Sequence, residues 1–115
     1  MVFVLRGDGI EVRFSNGRKQ IVRIRHHDGR YTLESTVISA SRVATLGIGE
    51  TLRLAYTKNR ETDVVAFTLD KSERLIGYVQ HVELTLDTEE LEFSILRLAE
   101  ECDGLEYLLS GGDVN

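Results

Sequence analysis

The fold is decided by one hairpin and the segment that follows it. The hairpin opens with Asp63-Val64-Val65-Ala66-Phe67-Thr68-Leu69-Asp70, turns at Lys71-Ser72-Glu73, and returns as Leu75-Ile76-Gly77-Tyr78-Val79-Gln80-His81-Val82. Two runs rich in β-branched and aromatic residues around a polar turn predict paired antiparallel strands. Val64 and Ala66 make the second side of the first run apolar as well, which predicts a central strand.

A long helix is predicted to follow the hairpin. Asp87 is a good N-cap, and Glu90 three residues later forms an approximate capping box with it. Gly111-Gly112 supplies a stop. The seam of this helix consists of apolar residues at alternating intervals of four and three, namely Leu91, Ile95, Leu98, Cys102, Leu105 and Leu109.

The first 38 residues read as β structure. Asp8-Gly9, Asn16-Gly17 and Asp28-Gly29 are signals for tight turns, and the runs between them alternate apolar and polar residues. Glu11 and Arg13 share the side of their strand that is predicted to face solvent. With Val2–Leu5 as a short edge strand, the simplest assembly is a meander of three or four strands.

Residues 39–61 are less regular. Ser39–Leu46 predicts a helical turn that Gly47 ends, and Glu50–Asn59 fits either a strand or a helix, of which we prefer the helix. The expected fold class is α+β, with an antiparallel sheet of about five to six strands, two helices packed on it and a long C-terminal helix. We expect residues 1–112 to form a single domain, followed by a tail at residues 113–115.

Composition indicates an ordinary globular protein. The chain is 42% hydrophobic and 29% charged, with one cysteine and a net charge of −5. No apolar run approaches the roughly 20 residues that span a membrane, and no signal peptide is evident. A single cysteine allows no internal disulfide, so we expect a cytoplasmic location.

One apolar set lies away from the predicted helix seam. At about 100° per residue, Phe93, Leu96 and Tyr107 fall on the opposite face. Exposed aromatic residues that cluster are typical of an interface, so these three residues are the candidate partner or dimer interface. The alternative is that they tuck under the N-terminal loops or the middle helix.

A second candidate surface is basic. Residues 1–30 carry seven Lys or Arg against three acids, whereas residues 83–115 carry ten acids against Arg97 alone. Arg13, Arg23 and Arg25 share one face of the predicted sheet, and this face could bind an anion, a partner or a nucleic-acid backbone. No aromatic residue alternates with these arginines to stack bases, and the overall acidity opposes nucleic acid.

No catalytic constellation is apparent in the sequence. His26-His27-Asp28 lies beside a turn, where adjacent strand residues point to opposite faces, and Cys102 falls on the helix seam without a partner base. The acidic groups of the last helix are typical of a solvated face. We therefore expect a non-enzymatic protein with no cofactor, no metal and no small-molecule ligand.

The chain resembles the bacterial YbjN-type domain and the class I type III secretion chaperones. The resemblance covers roughly residues 50–110 and rests on the motifs Leu52…Asn59, Val65–Asp70, Leu75-Ile76-Gly77, Leu86-Asp87…Glu90-Leu91 and Leu98-Ala99…Asp103–Leu109. It implies a bacterial chaperone-like or adaptor protein that binds segments of other proteins, commonly as a homodimer. The chain departs from the secretion chaperones at its start, because they usually begin with a helix and it begins with strands.

Overall fold

In the computed structural model, which describes residues 2–82 and 87–110, the chain folds into a sheet with helices on one face. The elements, in chain order, are β1 (Val2–Arg6), β2 (Gly9–Arg13), β3 (Lys19–His27), β4 (Arg30–Ile38), α1 (Ala40–Leu46), α2 (Ile48–Glu61), β5 (Ala66–Leu69), β6 (Leu75–Val82) and α3 (Thr88–Leu109).

The sheet has six strands in the order β1-β2-β3-β4-β6-β5, and every neighbouring pair is antiparallel. This confirms the predicted fold class, including the N-terminal meander and the long last helix. The described residues contain three helices, and the predicted helical turn at Ser39–Leu46 is the helix Ala40–Leu46, with Ser39 as its N-cap. The prediction that the first strand of the hairpin is central was wrong, since β5 is an edge strand.

The first turn also differs from its prediction. Arg6 pairs with Gly9, so the two turn residues are Gly7 and Asp8, and Gly9 belongs to β2. Gly7 supplies the positive φ, at 56°. Glycine at the first central position is typical of a type II′ hairpin turn, which suits the twist of the flanking strands.

The core lies between α3 and the face of the sheet toward it, here called the inner face. α3 packs mainly on β4, β3 and β6. The predicted seam is confirmed, because Ile95, Leu98, Cys102 and Leu105 are buried and Leu91 and Leu109 pack against the core. Gly77 lies at the centre of this contact, and a Cβ atom there would be 2.5 Å from Cys102 Sγ.

The predicted N-cap of α3 is confirmed. The Asp87 carboxylate accepts a hydrogen bond from the Glu90 backbone N–H at 2.8 Å. Ser110 forms the C-terminal cap. The predicted stop at Gly111-Gly112 and the tail at residues 113–115 lie outside the described residues.

The segment Glu50–Asn59, for which the helix was preferred over the strand, is helical and belongs to α2. α2 packs alongside β5, and Thr51 and Ala55 face inward and are buried. Asn59, near the end of α2, hydrogen-bonds the backbone of Phe67 in β5. This side chain therefore connects the helix to the edge of the sheet.

Candidate protein-binding surface

The inner face of β1 is not covered by α3. Phe3 and Leu5 project from this face, opposite Val12 and Ile10 of β2. The side chain of Leu5 is 82% exposed and that of Phe3 is 43% exposed. The outermost strand therefore adds an open apolar strip beside the helix.

Of the predicted interface residues, Phe93 and Tyr107 are exposed, and Leu96 is partly buried. None of the three is enclosed in a single subunit. Leu96 and Tyr107 are eleven residues apart, which brings both onto one flank of the helix. Whether this surface binds a partner stays a prediction.

Two contacts show which way that flank faces. The Arg18 guanidinium in the β2–β3 turn lies 4.7 Å from the centre of the Tyr107 ring, and its Nε donates to Asp103 at 3.1 Å. On the other flank, Glu101 pairs with Lys58 of α2 at 3.3 Å. The Tyr107 flank therefore faces the β1–β2 side of the sheet.

These observations define one surface, which we name the β1–α3 shelf. Its floor is the inner face of β1, and its wall is the Tyr107 flank of α3; Phe93, fourteen residues before Tyr107, lies about 40° around the helix axis from it. The shelf consists of Phe3, Leu5, Phe93, Leu96 and Tyr107. The sequence pattern identified the wall but not the floor, because Val2–Leu5 carries no sign of which strands α3 covers.

A second exposed apolar row runs along α2. Ile48, Leu52 and Tyr56 are spaced by four residues, and their side chains are 44%, 47% and 66% exposed. Ala55 lies next to Tyr56 in the same helix, yet Ala55 is buried and Leu52 and Tyr56 are exposed. The four-residue spacing marks Ile48, Leu52 and Tyr56 as one row of the helix, but Thr51 and Ala55 have the same spacing, so the sequence does not show which row is buried.

The predicted basic face is largely neutralised within the subunit. Arg13 pairs with Glu11, and Arg25 pairs with Glu34 at 2.8 Å. Arg23 lies opposite Glu34 in the neighbouring strand. Because these carboxylates already accompany the arginines, this face attracts a phosphate backbone less strongly than free arginines would, and nucleic-acid binding stays a prediction.

Glu11 differs from its expected solvent exposure. It projects from the outer face of the sheet, yet only 3% of its surface is exposed. Arg6, Arg13 and Lys19 surround it at ion-pair distance. The hydrogen bond from Arg13 is the main influence that holds the pKa of the Glu11 carboxyl below its ordinary value.

A charged crevice lies where the β2–β3 turn meets the end of α3. Its lining includes Arg18, Arg42, Asp103 and Glu106. Burial, and then the neighbouring Asp103 charge, raise the pKa of the Glu106 carboxyl, while Arg18 and Arg42 oppose that rise. The charged form of Glu106 is therefore disfavoured in the folded state.

Replacing Glu106 with glutamine is expected to raise the melting temperature at neutral pH by about 1–3 °C. A carboxyl group whose pKa is raised in the folded state favours folding most at pH values below its ordinary pKa. This contribution to stability is lost as the pH rises through the raised pKa. The gain in the Glu106→Gln variant should therefore shrink on acidification. Melting curves across pH test this, with exposed Glu100→Gln as the control. A gain that stays constant with pH would contradict the assignment.

Within residues 2–82 and 87–110, no group of three His, Cys, Asp or Glu side chains is placed to hold a metal ion. Burial raises the pKa of the Cys102 thiol to about 12, so the thiolate nucleophile is scarce at neutral pH.

The His81 Nε2 lies 2.6 Å from Ser94 Oγ. Ser94 is buried against the sheet, so this pair ties α3 to β6.

No protein-family model and no curated protein matches this chain. Among the described residues, no helix is long and apolar enough to cross a membrane. The comparison with solved structures, by contrast, gives matches along most of the chain.

The chain is similar in structure to proteins in three solved complexes. The ExsC–ExsE complex matches with a TM-score of 0.61 and 19% identity, over 96% of this chain and 82% of the other. The ExoU–SpcU complex of the type III secretion system of Pseudomonas aeruginosa gives 0.63 and 16%, over 90% and 84%. The Yersinia pestis type III secretion chaperone SycH, bound to a YscM2 fragment, gives 0.51 and 12%, over 90% and 85%.

These matches show the fold. The chain has the fold of type III secretion chaperones, as the resemblance over residues 50–110 implied. The match extends beyond that segment to most of the chain, including much of the N-terminal meander. The resemblance to the YbjN-type domain stays a prediction.

Proposed function

We propose that the protein is a non-enzymatic, chaperone-like or adaptor protein that binds a segment of another polypeptide on the β1–α3 shelf. One observation carries the proposal: Phe3, Leu5, Phe93 and Tyr107 are exposed on the helix side of the sheet. In this fold, ExsC, SpcU and SycH were each solved with a polypeptide partner. That recurrence supports the same role here.

The shelf has the chemistry that such a role requires. Burying apolar surface yields about 25 cal/mol per Å², and aromatic side chains are enriched in the centres of protein interfaces. The Arg18 guanidinium beside Tyr107 adds a charged rim. A bound segment should therefore present apolar side chains to the shelf.

A role without catalysis is supported by the chemistry of the candidate groups. Cys102 is buried with a raised pKa, and the hydroxyl of Ser94 is enclosed between helix and sheet. Neither group combines access to solvent with an orienting base, as nucleophilic catalysis requires. We include a cytoplasmic location in the proposal, because the single cysteine is kept as a buried thiol.

We further propose that the protein acts as a homodimer. The support is that the edge strand β1 carries the exposed apolar residues Phe3 and Leu5, whose strand edge a segment bound on the shelf leaves open. Molar mass measured by light scattering tests the dimer.

Replacing Phe93 and Tyr107 together with serine is expected to lower partner affinity at least tenfold, about 1.4 kcal/mol. Both aromatic rings are exposed, so the fold should persist. The test immobilises wild-type and variant protein, captures partners from the source cell's lysate, and then measures the affinity of the main captured protein.

Leu108→Ser is the matched control, because Leu108 is an exposed apolar residue on the same helix, about 100° around the axis from Tyr107. It should capture the partner as the wild type does. Equal capture by the double serine variant would remove the shelf as the binding surface. Loss of its far-ultraviolet helical signal would instead show that the two rings hold the fold.

A further inference from the structure

The two edges of the sheet differ in a way that bears on self-association. At the β5 edge, Asn59 accepts a hydrogen bond from the Phe67 N–H at 2.7 Å and donates one to the Phe67 carbonyl at 3.0 Å. The Thr62 hydroxyl donates to the Val65 carbonyl at 2.7 Å. The side chains of α2 and of the residue after it therefore occupy this edge and exclude another strand.

The β1 edge is open. A two-residue turn closes on a hydrogen-bonded pair, so Arg6, Val4 and Val2 direct their amide groups toward β2. Phe3 and Leu5 therefore direct theirs away from the sheet. Among the described residues, no side chain donates to or accepts from the backbone of Phe3 or Leu5, in contrast to Phe67.

β1 also lacks the features that usually protect an edge strand. Such strands commonly carry a proline, an inward-pointing charge or a bulge. The chain contains no proline, the register from Val2 to Arg6 is unbroken, and the inward-pointing residues are Phe3 and Leu5. An apolar edge of this kind is expected to pair with another strand.

We propose that β1 pairs with β1 of a second copy of this chain, antiparallel and centred on Val4. In this register, Phe3 lies opposite Leu5 of the partner subunit, and both residues direct their amide groups to the shared edge. Each such pair exchanges both hydrogen bonds. Arg6 lies opposite Val2 of the partner subunit, so no like charges are directly opposed.

The choice of a second copy follows from symmetry and length. Pairing of one edge with itself gives a closed dimer, whereas pairing of two different edges continues into a filament. Asn59 and Thr62 occupy the β5 edge, so only the closed arrangement is available. Both strands are five residues long, so the pairing leaves neither β1 with unpaired residues at its ends.

This inference rests on the proposed homodimer and identifies its interface. Two short strands bury less than the roughly 1,600 Å² of a standard interface, so the dimer should depend on concentration. The floors of the two shelves would then join into one strip of two strands between the two α3 helices. A bound segment could contact both subunits along this strip.

The test is the molar mass of the full chain by light scattering over a concentration series. The wild type is expected to approach twice the monomer mass. Leu5→Pro removes an N–H that points to the open edge and no bond within the subunit, so it should shift the midpoint of dimerisation at least tenfold. Leu5→Ala, the matched control, keeps this N–H and should shift it less. Leu52→Glu, on α2, should shift it little.

Hydrogen exchange by NMR supplies a second readout. The Phe3 and Leu5 amides should be protected in the dimer and exchange rapidly on dilution. If Leu5→Pro fails to fold, Leu5→Lys keeps the N–H and sets a cation against Phe3 of the partner subunit, and it should also weaken the dimer.

Two results would overturn the interface: a wild type that stays monomeric at every concentration, or a dimer that Leu52→Glu abolishes and the Leu5 variants leave intact. A monomeric wild type that still captures a partner would refute strand pairing alone. A β1-dependent dimer that captures nothing would refute the binding role alone.

Discussion

Replacing Gly77 with alanine is expected to lower the free energy of unfolding by about 3 kcal/mol, the upper end of the usual range for overpacking a core. The added Cβ would lie 2.5 Å from Cys102 Sγ, 3.0 Å from Phe67 Cε1 and 3.3 Å from Leu98 Cδ1. These side chains are buried, so none can move into solvent. Urea unfolding followed by circular dichroism measures the change.

The double variant Gly77→Ala/Cys102→Ala is the control for this mechanism. Removing Sγ takes away the closest contact, so the second substitution should recover at least half of the lost stability. The two substitutions should therefore be strongly non-additive, as expected for residues in contact. A single Gly77→Ala variant as stable as the wild type would show that α3 can move away from the sheet at little cost.

Replacing Asn59 with alanine is expected to destabilise the protein by about 1–3 kcal/mol and to cause aggregation. Its side-chain amide is the partner of both the N–H and the carbonyl of Phe67. Without it, a second edge of the sheet becomes available to other chains. With β1 and β5 both open, pairing no longer closes at two subunits.

Asn59→Asp provides a graded comparison. Its carboxylate can still accept from the Phe67 N–H but cannot donate to the Phe67 carbonyl, so it should lose less stability than alanine. Light scattering against time and urea unfolding give the two readouts. If Asn59→Ala stayed at the wild-type mass throughout, the amide would contribute to stability without protecting the edge.

Much of the architecture could be predicted from local sequence patterns. Alternation of apolar and polar residues predicted β2, β3 and β4. The dipeptides Asn16-Gly17 and Asp28-Gly29 predicted the turns between these strands. The alternating spacing of four and three from Leu91 to Leu109 predicted α3, and Asp87 predicted where it begins. These features depend on neighbours in sequence, so they are visible in the chain itself.

The remaining features depend on contacts between distant residues. Glu11 alternates with apolar neighbours like any exposed residue, and its burial depends on Arg6, Arg13 and Lys19 meeting above it. The apolar residues on both sides of β5 are typical of a central strand, whereas its place at the edge depends on β6 pairing with β4 on its other side. The floor of the shelf depends on how far α3 extends across the sheet.

The pairing of β4 with β6 has a consequence for synthesis of the chain. The N-terminal meander can form as soon as residues 2–38 have left the ribosome, whereas its neighbour β6 and its cover α3 are translated much later. In that interval, Val22 and Leu33 remain open to water and to neighbouring nascent chains. A protein proposed to bind other polypeptides thus depends on its own last helix to cover its apolar sheet face. Premature termination of translation before α3 would leave an aggregation-prone fragment.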